Sequence, residues 1–379
     1  MMRRIYLFII LLSPFFCLSQ DKYFSQFDLN MIYMNPAFAG FESADKLLIH
    51  HRRQWLSYNN EFNTYVFEAN LSAPISKARL GSAGPKRWTG GMYIIADQEN
   101  PIIKCFEFGF VPWTMHFPFQ KEWWLSLGVT MAMHHNTLDW GKLIFSDQIN
   151  DYNSNEIPTS ANLPYHEERK ILFDPSFGFV VTKKDERNKR RWVFGMAFNH
   201  LSEPMLSWYN NNNEGSKIDL KYTIHAEKKS SFSNKEWKMV YRHQRQGSNI
   251  VQRDDLGTTI MLKNRSVNKR INRFETGLFG RIARYNSNNT VKPIILQSVV
   301  PLIRWSSRIG RTNVVMETSY SYDFTNGLDV NGGREDPDGE DFLKTRYTSH
   351  THEFSLKFIF TKNRPASCPG EFSDAWMDW

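Results

Sequence analysis

Between Leu125 and His134 the chain alternates without a break. Leu125, Leu127, Val129, Met131 and Met133 are apolar, and Ser126, Gly128, Thr130, Ala132 and His134 between them are small or polar. A period of two is the signature of a β-strand whose two faces meet different surroundings. The pattern returns at Trp192/Phe194/Met196/Phe198, at Ile218/Leu220/Tyr222/Ile224 and at Phe354/Leu356/Phe358/Phe360. Asp219, Lys221, Glu227, Glu353 and Lys357 fall on the opposite faces, where charge is tolerable beside water and costly against lipid. The alternation predicts roughly fourteen strands, a number in the range of single-chain outer-membrane barrels. Their spans are 46–55, 62–72, 88–96, 104–117, 123–135, 171–182, 191–200, 218–229, 236–246, 254–263, 273–284, 291–302, 312–323 and 351–361. The expected fold is therefore all-β, a single transmembrane antiparallel β-barrel over residues 46–361.

The flanks read differently. Arg3 and Arg4 precede an apolar run from Ile5 to Leu12, and Cys17-Leu18-Ser19 offers small residues for cleavage, so 1–19 reads as a signal peptide. Pro14-Phe15-Phe16 before Cys17 does not suit a lipoprotein signal. Residues 20–45, broken by Asn35-Pro36 and Gly40, form a periplasmic lead-in, either folded inward as a plug or covering the barrel base. Residues 362–379 form a C-terminal periplasmic tail. Beyond the leader no run of about 18 apolar residues exists, which excludes a helical membrane protein.

Loop lengths give the barrel a polarity. The longest connections, 136–170, 201–217 and 324–350, all follow odd-numbered strands, while 118–122 and 230–235 are tight. Outer-membrane barrels keep long loops outside and short turns in the periplasm. Charge follows the same axis. Acidic residues such as Asp139, Asp147, Glu335 and Asp338 fall in the long loops. The short turns carry Lys77, Arg79, Lys86 and Arg87, then Lys183, Lys184, Arg187, Lys189 and Arg190, then Arg265, Lys269 and Arg270, and finally Arg304, Arg308 and Arg311. A basic floor of this kind suits an acidic periplasmic partner, although solvated turns carry charge in any case.

Composition narrows the function. The 379 residues carry a net charge of +8 and 15% aromatic side chains. Export argues against nucleic acid as the partner of the positive charge, and aromatic belts at two membrane interfaces account for the rings. No nucleophile-elbow or zinc-protease motif appears, no glycine cluster cradles phosphate, and no cofactor or metal is expected. His50-His51 and His134-His135 are neighbours, which point to opposite faces of a strand and cannot readily share a metal. His350 and His352 could face one side with Glu353 nearby, a weak candidate. Glycines within strands (Gly109, Gly128, Gly178, Gly195, Gly257, Gly277, Gly280) read as bulges or close approaches. Cys105 and Cys368 belong at opposite levels of the barrel and are expected as two free thiols.

Several segments taken in order resemble the PorP/SprF family of type IX secretion outer-membrane proteins. They begin with Phe24-Ser25-Gln26-Phe27, Asn30 and Tyr33-Met34-Asn35-Pro36-Ala37-Phe38-Ala39-Gly40, followed by Arg52-Arg53-Gln54-Trp55. Leu138-Asp139-Trp140, Phe145-Ser146-Asp147-Gln148-Ile149, Asp174-Pro175-Ser176-Phe177-Gly178 and Asn199-His200-Leu201-Ser202-Glu203-Pro204 come next. Tyr320-Ser321-Tyr322-Asp323, His352-Glu353-Phe354-Ser355-Leu356 and Cys368-Pro369 close the series. The resemblance implies a non-enzymatic barrel, integral to the outer membrane of a Gram-negative bacterium. It would assist secretion or surface attachment of cargo such as adhesins. It would also meet the periplasmic ring and its lipoprotein, for which the basic turns are a docking face. Asn35, Pro36, Gly40, Arg52, Gln54, Trp55, Asn199, His200 and Pro204 are the positions carried over. For Pro36 and Gly40, which fix and free the backbone respectively, the expected role is to hold the lead-in against the barrel base. A porin or channel for small solutes is the alternative, and a barrel lipid hydrolase a more distant one.

Overall fold

The computed structural model describes residues 22–42, 44–54, 62–71, 77–79, 85–99, 102–120, 122–139, 169–205, 217–232, 235–247, 251–265, 271–287, 290–291, 295–310, 312–325 and 349–360. Its strands are β1 (Asp45–Gln54), β2 (Phe62–Leu71), β3 (Lys77–Arg79), β4 (Pro85–Glu99), β5 (Ile103–Gln120), β6 (Trp123–Leu138), β7 (Arg169–Asp185) and β8 (Arg190–Asn199). There follow β9 (Lys221–Phe232), β10 (Lys235–Gln246), β11 (Val251–Arg265), β12 (Ile271–Ser287), β13 (Thr290–Val291), β14 (Ile295–Arg308), β15 (Val314–Thr325) and β16 (Ser349–Phe360). β3 and β13 are short extensions that pair only with β4 and β12. The other fourteen pair antiparallel in chain order, and β1 with β16 closes the ring, Asp45 opposite Phe360 and Gln54 opposite Thr351. Closure leaves no unpaired edge, which a sheet in hydrocarbon requires. No described helix is long and apolar enough to cross a membrane.

The alternation does in space what it does in sequence. In β6, Met131 and Met133 are half exposed on the outer face, while Ser126, Thr130, Ala132 and His134 are buried within. Ile49, Tyr65, Phe110, Phe173, Phe194, Leu256, Leu278, Ile303 and Phe354 carry an exposed apolar surface around the ring. Near the short-turn end Trp88 packs edge-on against Trp113, and the Lys183 ammonium lies over the Trp123 and Trp192 rings. Aromatic rings with a lysine are suited to a headgroup interface.

The connections of 139–168, 200–220 and 326–348 join strands at one end of the barrel, while 121–122, 186–189 and 233–234 join them at the other. Strands overrun the expected limits where their ends are polar. β14 reaches Arg308 instead of stopping near Leu302, so Arg304 and Arg308 are strand residues and not part of a turn. The pair Thr290–Val291 folds back on β12 as a separate short ladder, and β9 opens at Lys221, three residues later than expected. Register shifts between Phe110 and Trp113 and between Pro118 and Gln120 accommodate Pro112 and the turn into β6, since proline cannot donate to a ladder.

Candidate functional site

The segment from Lys22 to Ala44 lies inside the ring. A four-residue helical turn (Met31–Met34) leads into a 3-10 turn (Pro36–Phe38), which Asn35 caps by accepting from the Ala37 N–H at 2.9 Å. Proline at the first position suits this start, because its missing N–H would have had no partner there. Residues of this segment bond to, or stack on, side chains or backbone of all fourteen barrel strands. The contacts run from His50 in β1 through Asn70, Thr89, Glu107, Gly128 and Phe179. They continue through Met196, Lys221, Lys238, Asp255 and Arg281 to Arg304, Ser319 and Glu353.

Two kinds of contact hold it. The first is close backbone packing. A Cβ built on Gly128 would lie 2.5 Å from the Pro36 carbonyl carbon, and one on Gly178 would lie 2.0 Å from Asn35 Oδ1. These strand glycines are close approaches, not bulges. The wall then reads the turn's backbone: Thr114 donates to the Pro36 carbonyl at 2.9 Å, Thr89 to the Ala39 carbonyl at 2.6 Å, and the Gly40 N–H to Asn70 Oδ1 at 2.6 Å. Gly40 adopts φ +67°, open to glycine at little cost. The Asn35 amide donates to the carbonyls of Phe179 in β7 and Met196 in β8, at 3.1 and 3.2 Å.

The second kind is charge. Asp28 receives Arg304 through both oxygens, at 2.5 and 2.7 Å, and Lys238 at 2.7 Å. Burial alone would raise its pKa, but the two cations hold its carboxyl well below the usual range. Glu353 accepts the backbone N–H groups of Ser25 and Gln26 at 2.7 and 2.8 Å and is itself faced by Arg52 and His50. Tyr23 donates to Asp255 amid Arg242, Arg253 and Arg281, and burial pushes its hydroxyl up to about 12, so it stays a donor.

The segment traverses the lumen and does not brace its base. Lys22 pairs with Glu107 at 2.9 Å near the start of β5, at the long-loop end, whereas Asp45 opens β1 at the short-turn end. Arg52 and Gln54 lie on the inward-facing parity of β1, and Trp55 lies outside the described residues. Asn199 ends β8, and His200 and Pro204 belong to the connection after it. The connection is latched to β7 by Leu201 N–H to the Pro175 carbonyl (3.1 Å) and Ser202 Oγ to the Phe173 carbonyl (2.8 Å).

Of the basic positions, Arg187, Lys189 and Arg190 are exposed on the turn between β7 and β8, and Lys183 faces outward. Lys184 is buried, over the Trp124 ring and beside Glu186. Lys269, Arg270 and Cys368 lie outside the described residues. Arg304, expected in a turn, is a lumen residue. His350 and His352 do share the outer face, bonded to Tyr322 and Tyr320, but Glu353 is buried on the inner one. A grouping that sequence spacing did not reveal joins His134, Asp174 and His200.

Three solved structures of similar shape are all barrels. They are an outer membrane channel from Pseudomonas putida F1 (6% identity, 84% of this chain and 97% of that one, TM-score 0.39), a FadL homologue from Pseudomonas aeruginosa (11%, 86% and 92%, 0.46) and the toluene transporter TodX of Pseudomonas putida (8%, 90% and 94%, 0.44). No curated relative matches in sequence. The family model described as type IX secretion system membrane protein PorP/SprF matches residues 17–358. With nearly the whole chain matched, this protein belongs to the PorP/SprF family and is an integral outer-membrane β-barrel of the type IX secretion system.

Proposed function

We propose that the barrel works as an occluded, non-enzymatic scaffold that assists secretion or surface attachment of cargo proteins such as adhesins. In this reading it docks periplasmic ring components and their lipoprotein at its short-turn end. The observation that carries the proposal is the Lys22–Ala44 segment, tied to every strand across the lumen. A solute porin needs a continuous aqueous path, and this segment stands in it. Arg187, Lys189 and Arg190, exposed together at one turn, supply the positive face for an acidic partner, and Lys183 borders it. Photo-cross-linkers placed at Arg187 and Lys189 in native envelopes should capture periplasmic ring components. Capture only of lipid or of solute-uptake proteins, together with a steady porin-like current in planar bilayers, would overturn the reading.

A further inference from the structure

Inside the wall, near the long-loop end, His134 of β6, Asp174 of β7 and His200 after β8 bring three potential metal ligands together. His134 Nε2 lies 2.9 Å and His200 Nδ1 2.5 Å from the same oxygen, Asp174 Oδ2. All three residues are buried. We propose that they form a binding site for a divalent transition-metal ion of the zinc class.

Three observations support this over a plain hydrogen-bonded triad. First, the other carboxylate oxygen, Asp174 Oδ1, is buried with no hydrogen-bond partner among the described residues, a cost that a ligand would remove. Second, the far nitrogen of His134, Nδ1, lies 3.7 Å from Glu107 Oε2, the carboxylate-behind-histidine arrangement that orients metal-bound imidazoles. Third, His200 is held at φ +62°, and Glu203 in the same turn at φ +42°. Non-glycine residues keep such conformations at a cost, and they cluster where a side chain must be aimed.

The donor set selects the ion. Two imidazoles and one carboxylate suit zinc and its neighbours, while calcium and magnesium require an all-oxygen shell. Nitrogen–oxygen separations of 2.5 and 2.9 Å are shorter than those across a tetrahedral zinc with bonds of about 2.0–2.2 Å. Side-chain rotations would therefore open the two separations by about 0.5 and 1 Å to seat the ion. The ion would fasten the turn after β8 to β6 and β7. Through Glu107 it would also steady the entry of the lumen segment at Lys22.

The test uses the full mature chain folded in detergent, stripped with chelator and titrated with zinc chloride and, separately, cobalt chloride. The expected result is one tightly bound zinc per chain, a cobalt complex with visible absorption of tetrahedral intensity, and a higher unfolding temperature with zinc. His134→Ala and His200→Ala should abolish tight binding, and Glu107→Gln should weaken it about 10–100-fold. His135→Ala, on the outward face of β6, should bind as wild type. Asp174→Asn, which can still accept from both histidines, should also lose the ion. If the alanine variants fail to assemble, the wild-type cobalt spectrum still decides. Absence of a stoichiometric zinc, or binding unchanged in Asp174→Asn, would overturn the proposal.

Discussion

Asp28 and Arg304, 276 positions apart in the chain, meet as a two-pronged ion pair within the barrel. The pair joins the lumen segment to β14, and Lys238 of β10 closes on the same carboxylate. Removing Arg304 leaves the buried Asp28 carboxylate to Lys238. Arg304→Ala is therefore expected to cost about 3 kcal/mol, the lower end for breaking a buried pair. Asp28→Asn combined with Arg304→Met should recover much of that loss. Denaturant unfolding in detergent micelles, compared across the single and double variants, checks the coupling; independent, additive losses would contradict it.

The same pair predicts a pH dependence. Asp28 is held well below the usual carboxylate range when folded. Its contribution is thus complete above its unfolded value of about 4 and is lost as pH falls through the folded one. The stability gap between wild type and Asp28→Asn should stay level from pH 8 to pH 5 and shrink only below about pH 4. A gap that changes between pH 8 and pH 6 would point to a histidine instead.

Gly128 and Gly178 leave no room for a side chain against Asn35 and Pro36. Gly128→Val should displace the 3-10 turn while leaving the outer wall paired. Its expected signs are faster protease cleavage within residues 22–44 and a larger ion current than the wild type gives. Gly280, in β12, has open space where a Cβ would go and is a control: Gly280→Ala keeps the segment seated.

Outside the ring the rule inverts. Met131 sits midway along β6 and is half exposed on the outer face. Met131→Arg should cost about 2–4 kcal/mol in a bilayer, read as reduced folding yield into lipid vesicles. Arg187→Ala, on the exposed short turn, should leave that yield unchanged.

The wall was legible because a period of two survives any uncertainty about where a strand ends. Met131 outside and Thr130 inside follow from parity alone. What parity cannot supply is the meaning of an inward charge. Arg304 reads as a turn residue when the strand is expected to end at Leu302, because its partner, Asp28, is named only by the three-dimensional path of the lumen segment. Asn35, Pro36 and Gly40 stood out in the sequence as a break in regular structure. Their glycine seats at Gly128 and Gly178 read in the sequence as bulges or close approaches, with no sign of what they receive. His134, Asp174 and His200 come together through the β6–β7 register, which sets Ala132 opposite Asp174, and through the turn after β8. Spacing along the chain encodes neither.

Arg242, Arg281, Lys238, Arg304 and Glu353 all point inward and find a carboxylate, a hydroxyl or backbone groups as partners in residues 22–28. A cylinder closed without that thread would take Asp28 from Arg304 and Lys238 and two backbone donors from Glu353. Seating of the thread and the final zipping of β1 onto β16 are therefore expected to be coupled. Any machine that inserts this protein must receive its first residues before it seals the last seam.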